Sequence, residues 1–244
     1  MKPKLVVLLV GMSVMTVYNF AAPDAASFRS PELARIVFWH LPCAFLSIWF
    51  VVHAAYLGWR YLASRDTVWD ARLGSAVELG SLFGGLTMVT GIIFSKVQWG
   101  AWWNWDPRQT SFLLVLFLFA LGLVLRTGFE DAQKRAAVSS AYSLLTLLPS
   151  IFLIWVFPRL EMVKDASLHP TTTIQKGQFD TVYWCGVLGT FAMMALAASV
   201  AHSLRVRNTI LATKLEENYG LDKTNRGRPA PTGVVRPLGV SEEN

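Results

Sequence analysis

Six apolar runs, each long enough to cross a lipid bilayer, constrain this chain more than any other feature. They fall at about residues 5–22, 33–61, 73–94, 107–126, 138–157 and 179–204. A helix needs roughly 20 apolar residues to span the hydrocarbon, where every backbone polar group must be satisfied within the segment. Runs of this length and number predict an all-α fold, a polytopic integral membrane bundle of about six transmembrane helices. Composition agrees: 53% of the 244 residues are hydrophobic and only 16% are charged. Residues 1–206 are expected to form one transmembrane domain without internal repeats. The polar remainder, 207–244, has too little apolar surface to pack and is expected to be a disordered cytoplasmic tail.

Local signals refine this outline. The first run could be a cleaved signal peptide ending at Ala21-Ala22, but the similar spans that follow favour an uncleaved helix. Ser30-Pro31 reads as a helix start, with Ser30 as cap and Pro31 in the first turn; Asp106-Pro107 reads the same way before the fourth span. Cys43 and Cys185 both lie inside apolar runs and are expected in the core rather than in a disulfide. There is no C-x-x-C-H haem-attachment motif and no G-x-x-x-x-G-K-[ST] phosphate loop, so the chain is neither a c-type cytochrome nor an ATPase.

Lys and Arg set the orientation. With the N-terminus inside, fifteen fall in interior segments and seven in exterior ones, which favours both termini in the cytoplasm. Seven of the fifteen lie from Arg205 onward, and without them the split is neutral. The net charge of +6 therefore reflects loops and tail, and nucleic-acid binding is not expected.

Between the third and fourth spans lies Trp99-Gly100-Ala101-Trp102-Trp103-Asn104-Trp105-Asp106-Pro107-Arg108, with four of the chain's ten tryptophans. Trp99, Trp102 and Trp103 have the i, i+3, i+4 spacing of one helical face, and Gly100 permits a bend or a close backbone approach. The stretch predicts an aromatic shelf in an external loop. Residue chemistry alone leaves two uses open. The indoles can anchor the protein at the membrane interface, or they can stack against a flat apolar ligand whose acidic edge pairs with Lys96 and Arg108. Of the four histidines, His40 and His169 fall on the same outer side as this shelf, and one imidazole from each face of a ring would give iron six ligands. Alternatively, His40 is an interfacial residue bonded to backbone and His169 a solvated loop residue. His53 and His202 lie toward the inner side, as buried polar residues or as a second haem site. Glu78 sits near the inner end of the third span.

The tryptophan run resembles the W-G-x-W-W-x-W-D signature of the haem-handling proteins of cytochrome c maturation, the tryptophan-rich WWD-domain superfamily. Trp99, Gly100, Trp102, Trp103, Trp105 and Asp106 carry it in full. Six spans and Trp102-Trp103 make the chain most similar to the CcmC family, the haem exporter C proteins. The resemblance implies a protein, not an enzyme, that binds haem b as cargo at the outer face of the bacterial inner membrane. It implies delivery to a periplasmic haem chaperone of the CcmE type. It also implies partnership with an ATP-binding cassette complex (CcmA/CcmB type) and a small single-span subunit (CcmD type). By position, His40 before Pro42 and His169 after the fifth span match the family's iron ligands. Trp99, Trp102, Trp103 and Trp105 would contact macrocycle or partner, and Arg108 and Lys96 the propionates. Asp106 is carried over as a site candidate beside its role as a cap. Residues 157–165 depart from the family's tryptophan-containing pattern. Three other readings remain: a haem-attachment synthase of the CcsA/CcmF type, toward which Trp105-Asp106-Pro107 leans; a b-type electron carrier using His53 and His202; and a permease whose tryptophans only mark the interface.

Overall fold

The computed structural model describes residues 3–169 and 180–219. Among these residues there are helices and turns but no β-strand. The long helices are α1 (Pro3–Ala21), α2 (Val37–Ser64), α3 (Thr67–Trp99), α4 (Pro107–Thr127), α5 (Ala132–Ile151) and α7 (Thr181–Tyr219); a single turn, α6 (Glu161–Lys164), precedes the last. Six helical segments are long and apolar enough to cross a membrane, as the six runs predict.

The helix ends follow local chemistry. Asp66, Asp106 and Asp131 cap α3, α4 and α5, each accepting a hydrogen bond from a first-turn N–H. Gly100 stops α3 with a left-handed backbone (φ 85°), its N–H donating to the Lys96 carbonyl at 3.0 Å. The expected Ser30 cap does not form. Pro31 is itself helical and begins a 3-10 turn at Glu32–Ile36, while the Ser30 backbone is held by Gln98 of α3, at 3.1 Å through its N–H and 3.0 Å through its carbonyl. α5 contains Pro149 and passes into a π-helical turn at Phe152–Val156 and a 3-10 turn at Phe157–Arg159. α7 runs through the expected boundary at 206 to Tyr219. At ~1.5 Å per residue its 39 residues reach well past a ~30 Å hydrocarbon core. The rest of the expected tail, with Pro170, Lys176 and Lys2, lies outside the described residues.

α2 is the central helix, packed on α3, α5 and α7. Leu46, Phe50, Ala54 and Leu57 of α2 meet Leu73, Ala76, Val77 and Phe83 of α3 and Ala198 of α7. The Phe50 and Phe83 rings stack at 6.1 Å. Where α2 crosses α5, a Cβ at Gly58 would stand 2.8 Å from the Ser140 carbonyl oxygen, so only glycine admits that approach. α1 is the most exposed span and leans on α7, where buried Asn19 donates from Nδ2 to Thr190 Oγ1 at 2.8 Å. At the end where α3 begins, Asp70 pairs with Arg126 of α4 at 2.7 Å and Arg135 of α5 at 3.7 Å. Glu78 is bound by Arg205 through both carboxylate oxygens at 2.7 Å. Cys43 is buried as expected; Cys185 instead faces outward from α7, because its helical face turns away from the bundle.

Candidate functional site

A cavity of about 380 Å³ opens at the other end of the bundle, within the range of small-molecule sites. Six parts of the chain build it, the connection between α1 and α2 through Phe28 among them. α2 contributes His40, Leu41 and Phe45; α3 contributes Met88, Gly91 and Trp99; the start of α4 contributes Asp106, Arg108 and Phe112; the turns after α5 contribute Trp155 and Arg159; and the segment after α6 contributes His169. The walls are aliphatic and aromatic, and two imidazoles and two guanidinium groups interrupt them. That donor set fits a flat apolar ligand carrying a metal and acidic groups.

His40 is held by α3. Its Nδ1 lies 2.9 Å from Thr90 Oγ1. The one Thr90 hydroxyl proton is directed at helix carbonyls, chiefly Leu86 O at 2.7 Å, so the oxygen accepts from the imidazole. The proton therefore sits on Nδ1, and Nε2 keeps the lone pair a metal requires. Beside it, a Cβ on Gly91 would lie 3.1 Å from His40 Cε1, so the glycine clears space for the ring. Pro42 lies inside α2, which continues through it.

His169 sits outside the spans. Burial, with Arg108, His40 and Arg159 nearby, pushes its imidazole down to about 3, so it is neutral at physiological pH and available as a ligand. Its segment is tied to the start of α4. Asp106 Oδ2 accepts from the Leu168 N–H and from Ser167 Oγ at 3.1 Å, while Oδ1 accepts from the Arg108 N–H at 2.8 Å.

The tryptophan run divides. α3 ends at Trp99, so Trp99, Trp102 and Trp103 do not share a helical face: the left-handed Gly100 turns the chain out of the helix. Trp99 lines the cavity, edge-on to Phe94 at 5.5 Å. Trp102, Trp103 and Trp105 form no part of its wall. Trp102 and Trp105 are 58% and 76% exposed, and Trp105 stands edge-on to Trp103 at 5.8 Å with φ 54°. Ser95 Oγ donates to the Ala101 carbonyl at 2.8 Å and accepts from Asn104 Nδ2 at 2.6 Å, which fixes this loop on the end of α3. Lys96 also points away from the cavity, its Nζ donating to the Gly100 carbonyl at 3.0 Å and lying 5.8 Å from the Trp102 ring. Arg108 does reach the cavity, and Arg159, which sequence reasoning missed, stands there with it. Its position after Pro158 at the outer end of the fifth run was the available signal.

His53 and His202 meet elsewhere, ring centroids 5.6 Å apart and edge-on, packed against Phe50 and Trp49. Neither lines the cavity.

The sequence profile of one family, CcmC, heme exporter protein C, matches residues 1–219. The chain belongs to the heme exporter protein C family. Similar proteins of that name include those of Rhodobacter capsulatus (29% identical, covering 81% of this chain and 80% of that one) and Bradyrhizobium diazoefficiens (31%, 80% and 72%). That of Escherichia coli K12 is 26% identical, with 80% and 76% covered. Membership in the CcmC family assigns the chain a role in haem handling for cytochrome c biogenesis, in a multi-pass membrane protein.

Proposed function

We propose that this chain holds haem b as cargo in the cavity, with His40 and His169 as the two axial ligands, and passes it to a periplasmic chaperone of the CcmE type. The observation that carries the reading is the convergence of two imidazoles, from α2 and from the segment after α6, on one apolar cavity edged by two arginines. Haem has that chemistry: an apolar disc, an iron at its centre and two carboxylates on one edge.

Each residue then has a part. His40, its tautomer fixed by Thr90, binds iron from the bundle side, and His169 completes the coordination. Trp99 and Phe94 present aromatic surface to the macrocycle. Arg108 and Arg159 bind the propionates by charge-assisted hydrogen bonds, and exclude water less than a fully apolar wall would, leaving that edge open for transfer. Trp102, Trp103, Trp105 and Lys96, outside the cavity wall, form the surface that meets the chaperone. Asp106 belongs to the site through the segment it holds. Family membership supports a bacterial inner-membrane location, and the lysine and arginine distribution favours both termini in the cytoplasm, with the haem site periplasmic. An ATP-binding cassette complex of the CcmA/CcmB type and a CcmD-type subunit are the family's partners. The chain carries haem and catalyses no bond change.

The test is the absorption spectrum of the detergent-purified protein beside His40→Ala and His169→Ala. The wild type is expected to show a six-coordinate low-spin haem, and each variant to lose that state. Retention of the wild-type spectrum in both variants overturns the assignment.

A further inference from the structure

We infer that Asp106 is the positioning residue for His169, holding that ligand at the cavity; the inference rests on the haem reading above. A helix cap uses one side-chain oxygen, and serine, threonine or asparagine supplies it as well as aspartate. Asp106 is 3% exposed and uses both oxygens. Oδ1 caps α4 through the Arg108 N–H at 2.8 Å. Oδ2 is committed to a segment some sixty residues away, accepting from the Leu168 N–H and from the Ser167 hydroxyl at 3.1 Å. The Ser167 oxygen in turn accepts from the His169 N–H at 3.4 Å, so the carboxylate reaches the ligand's own backbone through one hydroxyl.

The bonds to Asp106 join this segment to a transmembrane helix. The segment's backbone hydrogen bonds from Leu160 to Ser167 are local among the described residues, α6 is a single turn, and Met162 and Leu168 are exposed. Charge-assisted bonds to Asp106 from Leu168 and Ser167, one residue and two residues before His169, set where that ligand stands at the cavity. The contrast with His40 is plain: one ligand is built into a helix, the other is docked by a carboxylate. This gives the aspartate of the tryptophan motif a reason to be aspartate, since only a carboxylate can accept on both sides at once.

Asp106→Asn separates the two roles. The amide oxygen still caps α4, while the amide nitrogen points a donor at two donors, the Leu168 N–H and the Ser167 hydroxyl. In purified haem-loaded protein, Asp106→Asn is expected to convert six-coordinate low-spin haem to a high-spin form. Added imidazole should restore the low-spin spectrum, as it should in His169→Gly. In haem-free protein, hydrogen exchange across residues 161–169 is expected to accelerate roughly tenfold or more while exchange in α4 is unchanged. A low-spin spectrum and unaltered exchange in Asp106→Asn, with His169→Gly high-spin, overturn the positioning role and leave the haem reading standing. A wild-type spectrum in His169→Gly overturns the ligand assignment and this inference with it. If Asp106→Asn does not accumulate, Ser167→Ala decides, because it leaves the cap intact: partial high-spin character with imidazole rescue supports the role, and a wild-type spectrum contradicts it.

Discussion

At the scale of single residues, the proposed site holds two imidazoles in place, His40 by Thr90 and Gly91 and His169 by the segment tied to Asp106. Thr90 fixes the His40 proton, so Thr90→Val, nearly the same shape without the acceptor, is expected to lower haem affinity on the order of 10–100-fold with the fold intact. Haem titration of the purified variant measures this, and unchanged affinity would show that the tautomer is set otherwise. Gly91→Ala presses a methyl to 3.1 Å from the same ring and is expected to weaken binding several-fold. His169 carries a pH dependence. Its folded pKa, about 3, lies below the usual 6.5, so the docked segment binds fewer protons than the undocked one between those values. Docking is then fully favourable above pH 6.5 and is lost as pH falls toward 3. Hydrogen exchange at residues 161–169 of haem-free protein, corrected for intrinsic rates, should accelerate over that window; a flat profile contradicts the burial of this imidazole.

At the scale of elements, small residues and buried ion pairs let the helices approach closely. Gly58→Ala drives a methyl against the α5 backbone at Ser140 and is expected to destabilise by about 1–3 kcal/mol. Asp70→Ala strands Arg126 and Arg135 at the far end of the bundle and is expected to cost about 3 kcal/mol. Thermal inactivation of the solubilised protein reads both, and the haem spectrum of the surviving fraction should be unchanged. An altered spectrum would mean the far end is coupled to the site. The spans were legible in the sequence because apolar length is a direct signal, and Asp106-Pro107 announced α4 by its capping chemistry. Other features were hidden. The i, i+3, i+4 spacing of Trp99, Trp102 and Trp103 suggested a helix, yet a glycine in the left-handed region at position 100 ended it. Cys185 lay in an apolar run, which marks a membrane span but not which face meets protein. Thr90, Gly91 and Arg159 are ordinary residues whose importance comes from what stands opposite them, and that is a property of packing.

At the scale of the whole molecule, the bundle is polarised. One end is locked by Asp70 and its two arginines and by the Glu78–Arg205 pair, with α7 running on to Tyr219. The other end opens into a cavity roofed by an irregular segment and flanked by exposed indoles. Such a molecule can keep its helices rigid while the segment of His169 moves, which suits the holding and release of cargo proposed above. The most direct test is an experimental density map of the haem-loaded protein in a lipid environment. The account predicts the porphyrin between α2 and the segment after α6, its iron bonded to His40 and His169 and its propionates toward Arg108 and Arg159. Porphyrin density lying against Trp102 and Trp105 outside the cavity, or beside His53 and His202, would contradict it.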